Sequence, residues 1–152
     1  MTPLLSTRHP RQLHLNEVPL PVTLPPDFDI VHVGMGLGVS GLDSMIDRGQ
    51  AVGPSLYCIT HRMLLIPVGA GTADLWRASH SVCTKGSRLA CLTQGYQRRC
   101  DTRFWAAPPA PLAAAVTAPA ELHDALSLTR ARMQRPATRS PFITQAREVC
   151  HV

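Results

Sequence analysis

Residues 28–41 read Phe-Asp-Ile-Val-His-Val-Gly-Met-Gly-Leu-Gly-Val-Ser-Gly, and this stretch decides the fold. Its first six residues alternate in polarity and are rich in β-branched side chains, which predicts a strand. Four glycines follow within eight residues. The run Leu42–Arg48 then predicts a short helix that stops at Gly49, a residue typical of helix C-termini.

Further elements follow outward from this strand and helix. The patterns predict strands over 56–60, 63–68 and 103–107, a turn of helix over 72–77, and an amphipathic helix that opens at Pro119. A polar stretch over 79–100 predicts a loop. The order of elements predicts a mixed α+β fold, with a small sheet of about four strands and two or three short helices.

Length and composition place these elements in one folded domain. The chain has 152 residues, of which 45% are hydrophobic and 16% are charged, a composition that supports a packed core. Fourteen prolines cluster partly at the N-terminal end and in an Ala/Pro linker. We therefore expect a proline-rich extended lead-in at 1–26, an α+β core at 27–110, a linker with an amphipathic helix at 111–133, and a disordered basic tail at 134–152.

The two halves of the chain differ in charge. Residues 1–76 hold four Lys/Arg and six Asp/Glu, net −2, whereas residues 77–152 hold eleven and four, net +7. A basic half favours a polyanionic partner such as nucleic acid, with Arg98, Arg99 and Arg103 as candidate phosphate contacts. The alternative is that basic tails are common and carry no partner.

Composition also bears on compartment. No apolar run approaches the roughly 18–20 residues that a membrane-spanning helix needs, and residues 1–10 lack the apolar core of a secretory signal. Five cysteines are an odd number without the dense spacing of a disulfide scaffold. We expect a cytoplasmic protein without a membrane partner.

A glycine motif offers one functional hypothesis. Gly36, Gly38 and Gly41 fit G-x-G-x-x-G between a strand and a helix, the context of a dinucleotide-binding loop. The acidic residue that contacts the ribose about 20 residues further on is missing. The alternative interpretation is a tight glycine turn between strand and helix.

A pair of carboxylates offers a second hypothesis. Asp27 and Asp29 stand two residues apart at the start of the first strand, so both side chains face one side of an extended chain. Carboxylates in this arrangement can hold Mg²⁺ or Mn²⁺ beside substrate phosphates. The alternative is that an Asp after proline serves ordinary turn chemistry.

Three stretches of the chain resemble the N-terminal domain of bifunctional DNA primase/polymerases, and most of all the short versions common in actinobacteria. They are residues 28–31 with Gly53-Pro54, residues 61–67, and residues 101–109. The resemblance implies that Asp27 and Asp29 bind metal, that His61 contacts nucleotide phosphates, and that Asp101 is the third catalytic acid.

The prolines at 25 and 26 stand where the family has an apolar strand. Two prolines do not suit a central strand. We therefore expect a degenerate relative that binds nucleic acid or nucleotide weakly, without robust catalysis. The remaining alternatives are a dinucleotide-binding fragment and a protein-interaction module without a small-molecule site.

The cysteines raise the question of zinc. His80, Cys83, Cys91 and Cys100 offer four soft ligands in the polar stretch, the number that a tetrahedral zinc site needs. Their spacing does not match a common zinc motif. The alternative is a set of independent, partly exposed thiols.

Overall fold

The computed structural model describes residues 20–92 and 99–136. They form one antiparallel sheet of five strands with three helices, which confirms the predicted α+β class and adds one strand to the expected four. The elements in chain order are β1 (Phe28–Gly34), α1 (Met35–Asp47), β2 (Ser55–Cys58), β3 (Met63–Gly69), α2 (Thr72–Leu75), β4 (Ser81–Thr84), β5 (Arg103–Ala106) and α3 (Pro119–Gln134).

The strands lie in the order β4-β1-β3-β2-β5. The central pair is β1 and β3, joined in register over seven residues with Phe28 opposite Gly69 and Gly34 opposite Met63. Both strands are buried on both faces, and apart from Asp29 and His32 of β1 their side chains are apolar.

The two long helices cover one face of the sheet. Gly41 of α1 lies against Leu126 of α3, and both helices pack on the inward side chains of β1 and β3. The core on this side consists of Val31, Val33, Leu42, Met45, Val52, Leu64, Ile66, Val68, Leu122, Ala125 and Leu126.

The second face carries a smaller apolar cluster formed by Phe28, Ile30, Leu56, Leu65 and Trp105. No helix of the described residues covers it. Instead, side chains from two loops pack on it, among them those of Leu24, Leu89 and Cys91. The long connection between β4 and β5 is therefore the cover of a core face, and what fixes that connection matters for stability.

The predicted glycine loop is wrong. Helix α1 begins at Met35, so Gly36, Gly38 and Gly41 all lie inside it. A β-carbon on Gly38 would lie 2.7 Å from Leu64 Cδ2, and one on Gly41 would lie 2.8 Å from Leu126 Cδ2. These two glycines let α1 approach the sheet and α3 closely, which is a packing role rather than a phosphate-binding one.

Other expectations differ less. Strand β4 (Ser81–Thr84) lies in the polar stretch that was predicted to be a loop, because its four residues show no clear alternation of polarity. The helix opening at Pro119 is confirmed, with proline in its first turn. Most of the predicted lead-in (1–19) and tail (137–152) lies outside the described residues.

Candidate metal centre

The centre begins at the turn between β2 and β3. Cys58 is the last residue of β2 and is fully buried, and His61 follows three residues later. The turn closes through the N–H of Arg62, which donates to the carbonyl of Ile59 over 3.2 Å. Arg62 takes a left-handed conformation with φ of 50°, which is uncommon for a side chain of this size. The tight turn directs the His61 ring back toward the Cys58 thiol.

The long β4–β5 connection supplies the other two groups. The Sγ atoms of Cys58 and Cys100 each lie 3.3 Å from His61 Nδ1. The ligand atoms of Cys58, His61, Cys91 and Cys100 all lie within 4.8 Å of one another. Two hydrogen bonds hold the end of this connection in place, because the Thr60 hydroxyl oxygen Oγ1 accepts from the backbone N–H groups of Asp101 and Thr102.

Two thiols of this cluster, those of Cys91 and Cys100, have a pKa above that of a free cysteine. Burial, together with the neighbouring thiols of Cys58 and Cys100, raises the pKa of Cys91 far above its ordinary value. Burial also raises the pKa of Cys100, and the Cys58 thiol adds to that rise. A thiol binds metal as thiolate, so a cation that binds here must displace protons.

Three cysteines and one histidine form a closed set of four soft ligands, and such a cluster could hold a metal ion. In a tetrahedral zinc site with bonds of about 2.3 Å to sulfur, neighbouring ligand atoms are about 3.8 Å apart. Two of the separations here are 3.3 Å and none exceeds 4.8 Å, so the cluster has dimensions close to those of a zinc site.

Two of the four residues that the sequence suggested as zinc ligands lie in this cluster. Cys91 and Cys100 lie in the cluster, whereas His80 and Cys83 do not. The ring of His80 instead bonds the hydroxyls of Ser81 and Ser127, at 2.8 Å and 3.1 Å.

Cys83 sits on β4. Burial, with a contribution from the Asp29 charge, raises its pKa to about 11. The sequence signal for the other two ligands is the pair Cys58-x2-His61, a spacing that places both on one tight turn.

The predicted carboxylate site is not assembled. Asp29 is buried on β1 near the start of the strand, at the end of the sheet where Phe28 faces Gly69. His61 lies beyond β2, and Asp101 just before β5, at the opposite end, where Cys58 faces both Met63 and Arg103. Asp27 is exposed.

Asp29 is also engaged by the backbone. Its two carboxylate oxygens accept from the N–H groups of Ala73 and Gly86, at 2.9 Å and 3.0 Å. Burial acts to raise the pKa of Asp29, but these backbone donors outweigh it and hold the pKa below its ordinary value. This carboxylate therefore ties β1 to the segments that follow β3 and β4.

The three arginines predicted to contact phosphate differ in how the structure places them. Arg98 lies outside the described residues, and Arg99 is exposed beside the cluster. Arg103 is only 5% exposed, and its Nη2 donates to the carbonyl of Leu89 over 2.9 Å. The expectation of a phosphate contact at Arg103 is thus corrected, because its guanidinium anchors the loop over the second face.

Comparisons with known proteins found no match among family models, curated proteins or solved structures. Among the described residues, no helix is long and apolar enough to cross a membrane. The arrangement of side chains is therefore the basis for a functional conclusion.

Proposed function

We propose that this protein is a zinc-binding module, with Cys58, His61, Cys91 and Cys100 as the four ligands of one Zn²⁺. The observation that carries the proposal is the convergence of three thiols and one imidazole nitrogen within 4.8 Å. Cys₃His is an established ligand set for structural zinc. His61 would bind through Nδ1, the ring nitrogen that lies 3.3 Å from two of the sulfurs.

The proposed role of the ion is structural. Four protein ligands fill a tetrahedral shell and leave no position for a reacting water. The ion would join the β2–β3 turn to the β4–β5 connection, whose Leu89 and Cys91 cover the second apolar face. Binding free energy at such a site becomes folding free energy, because the ligands are not assembled in the unfolded chain.

Metal analysis of purified protein tests this proposal. Protein prepared without added zinc should contain about one equivalent, and Cys91→Ser should lose it. Cys83→Ser is the matched control, since Cys83 is also a partly buried cysteine but lies outside the cluster. A wild-type content below about 0.2 equivalents, with no uptake of added zinc at neutral pH, would refute the site.

A second candidate function is nucleic-acid binding around the metal centre. Arg62 and Arg99 are exposed and adjoin the ligands His61 and Cys100 in sequence, and Arg88 is exposed on the same connection. In the described part of the chain, no carboxylate forms an ion pair with any of the three. Exposed arginines without a carboxylate partner, two of them next to the proposed ligands, favour a phosphate backbone as partner.

This candidate function keeps nucleic acid, the partner predicted from the sequence, but does not include polymerase catalysis. Asp29 and Asp101 stand at opposite ends of the sheet, and Asp29 already accepts two backbone hydrogen bonds. The likeness to primase/polymerases therefore supports a binding role only. The dinucleotide alternative loses its basis, because the three glycines of its motif are helical.

Fluorescence anisotropy with a labelled single strand and a labelled primer–template, over about 50 to 200 mM salt, tests this candidate. The double variant Arg62→Ala/Arg99→Ala should weaken binding and reduce the salt slope by about 1.4 to 1.8, the value for two lost phosphate contacts. Arg48→Ala/Arg132→Ala removes the same charge from exposed positions at the C-terminal ends of α1 and α3 and should leave the slope nearly unchanged. Equal losses in both double variants, or no binding at low salt, would refute a localised surface.

A further inference from the structure

A second feature lies at the other end of the sheet from the metal centre. The turn after β3, helix α2 and the first turn of α3 enclose a cleft of about 550 Å³. Its apolar walls come from Leu75, Trp76, Pro119 and Ala120. The volume falls in the range of about 300–1,000 Å³ that small-molecule sites occupy.

Hydrogen bonds hold the aromatic wall of this cleft in place. The indole of Trp76 donates from Nε1 to Ser81 Oγ over 3.1 Å and meets the His123 ring edge-on, with centroids 5.2 Å apart. His123 Nε2 lies 2.9 Å from the carbonyl oxygen of Arg77. These contacts join the segment that follows α2 to β4 and to α3.

Leu75 contrasts with this fixed wall, because 82% of it is exposed to solvent. It is the most exposed large hydrophobic residue outside the 20–26 segment among the described residues. An exposed leucine beside an aromatic wall and an open cleft provides apolar area that a ligand can bury.

Charge decides which ligand the cleft fits. Arg77 is the one permanent charge among the described residues that line it, and no aspartate or glutamate lines it. The Arg77 guanidinium donates from Nη1 to the carbonyl of Trp76 over 2.9 Å, which places it beside the aromatic wall. No carboxylate of the described residues pairs with it.

We propose that this cleft binds a monocarboxylate with an apolar body. The single guanidinium would pair with the carboxylate, and Leu75, Trp76 and Pro119 would contact the body. A ligand with two or three negative charges would leave some of them without a partner against apolar walls, at a cost in free energy. This inference is independent of the proposed metal centre.

Tryptophan emission provides the measurement, with decanoate as the probe at concentrations below micelle formation. The chain has two tryptophans; Trp105 is buried on the second face of the sheet, so a saturable change in emission reports on Trp76. Decyltrimethylammonium, which has the same chain length and the opposite charge, serves as the ligand control.

Substitutions at two exposed positions separate the contribution of charge to decanoate binding from that of apolar contact. Arg77→Gln should weaken decanoate binding about tenfold through loss of the charged hydrogen bond, and Leu75→Ser should weaken it about fivefold through loss of apolar contact. Neither side chain belongs to the core, and circular dichroism should remain that of the wild type. Arg48→Gln and Met133→Ser are the matched controls at exposed positions that do not line the cleft.

The outcomes are distinct. Saturable decanoate binding that Arg77→Gln and Leu75→Ser weaken, and that the cationic analogue does not reproduce, would support the proposal. Equal binding of the cation, indifference to Arg77→Gln, or a linear response without saturation would overturn it. Zinc content does not enter any of these readouts, so the two proposals can fail separately.

Discussion

The glycines of α1 allow a sharp test of how this helix packs. Gly36 and Gly38 stand two residues apart in the same helix, yet their surroundings differ. A β-carbon on Gly36 would meet nothing within 4 Å. A β-carbon on Gly38 would lie 2.7 Å from Leu64 Cδ2 and 2.8 Å from Val33 Cγ1, and both of those side chains are buried.

The expected free energies follow from these distances. Replacement of glycine by alanine within a helix stabilises by roughly 0.5–1 kcal/mol where space permits. We assign the low end to Gly36, because it lies in the first turn. Insertion of a methyl group into a packed core costs about 1–3 kcal/mol. Gly38→Ala combines both effects, and since Val33 is β-branched and stiff we expect a net loss of about 1 kcal/mol.

Urea denaturation followed by circular dichroism is the assay. The two variants should differ by about 1.5 kcal/mol in free energy of unfolding. With a slope of about 1–3 kcal/mol/M for a small domain, this separates their midpoints by roughly 0.5–1.5 M. If the glycines instead formed a flexible loop, neither variant would meet a packed neighbour. Equal stabilities, or a Gly38→Ala variant more stable than Gly36→Ala, would therefore refute the helical packing.

Three further predictions concern other parts of the fold. Gly53→Ala should destabilise the protein by more than about 2 kcal/mol in the same assay, because the new β-carbon would lie 2.7 Å from the Cα of Val116, and a backbone atom cannot rotate away as a side chain can. A loss of stability within about 0.5 kcal/mol would contradict this prediction. Burial lowers the pKa of His32 from 6.5 to about 4, so below pH 6.5 the unfolded chain binds a proton more readily than the folded chain, and the free energy of unfolding should fall by about 3 kcal/mol as pH drops from 6.5 to 4. His32→Gln should flatten that part of the pH profile. An unchanged slope in the variant would show that other groups cause the loss of stability. Chelation of zinc should accelerate tryptic cleavage at Arg88, since Cys91 would lose its link to the sheet; equal cleavage rates with and without chelator, for a protein shown to contain zinc, would count against the structural role of the ion.

Local sequence rules were sufficient for most elements. The alternation in Phe28–Gly34 and the apolar run in Met63–Gly69 each predicted a strand, and Pro119 marked the first turn of α3. These signals lie within single segments. The apolar run of β3 agrees with its burial on both faces, whereas in β1 the polar residues Asp29 and His32 are buried as well, which the alternation does not predict.

The glycine motif shows where local rules stop. A glycine-rich stretch after a strand predicts a loop from propensity, since glycine costs helix stability. Here tertiary packing outweighs that cost: close approach of α1 to Leu64 and Leu126 requires positions without a β-carbon. Nothing within residues 36–41 carries information about those partners, which lie in β3 and α3.

The candidate metal centre shows the same division. From the sequence it followed that cysteine and histidine are available as soft ligands, and that Cys91 and Cys100 lie in one polar stretch. Only the tertiary structure decided which four groups converge, because Cys58 and His61 reach the cluster through the pairing of β2 with β3 and β5. Composition and periodicity are properties of single segments, whereas a ligand set depends on distances between segments. Those distances are set by strand order, which follows from the packing of the whole sheet.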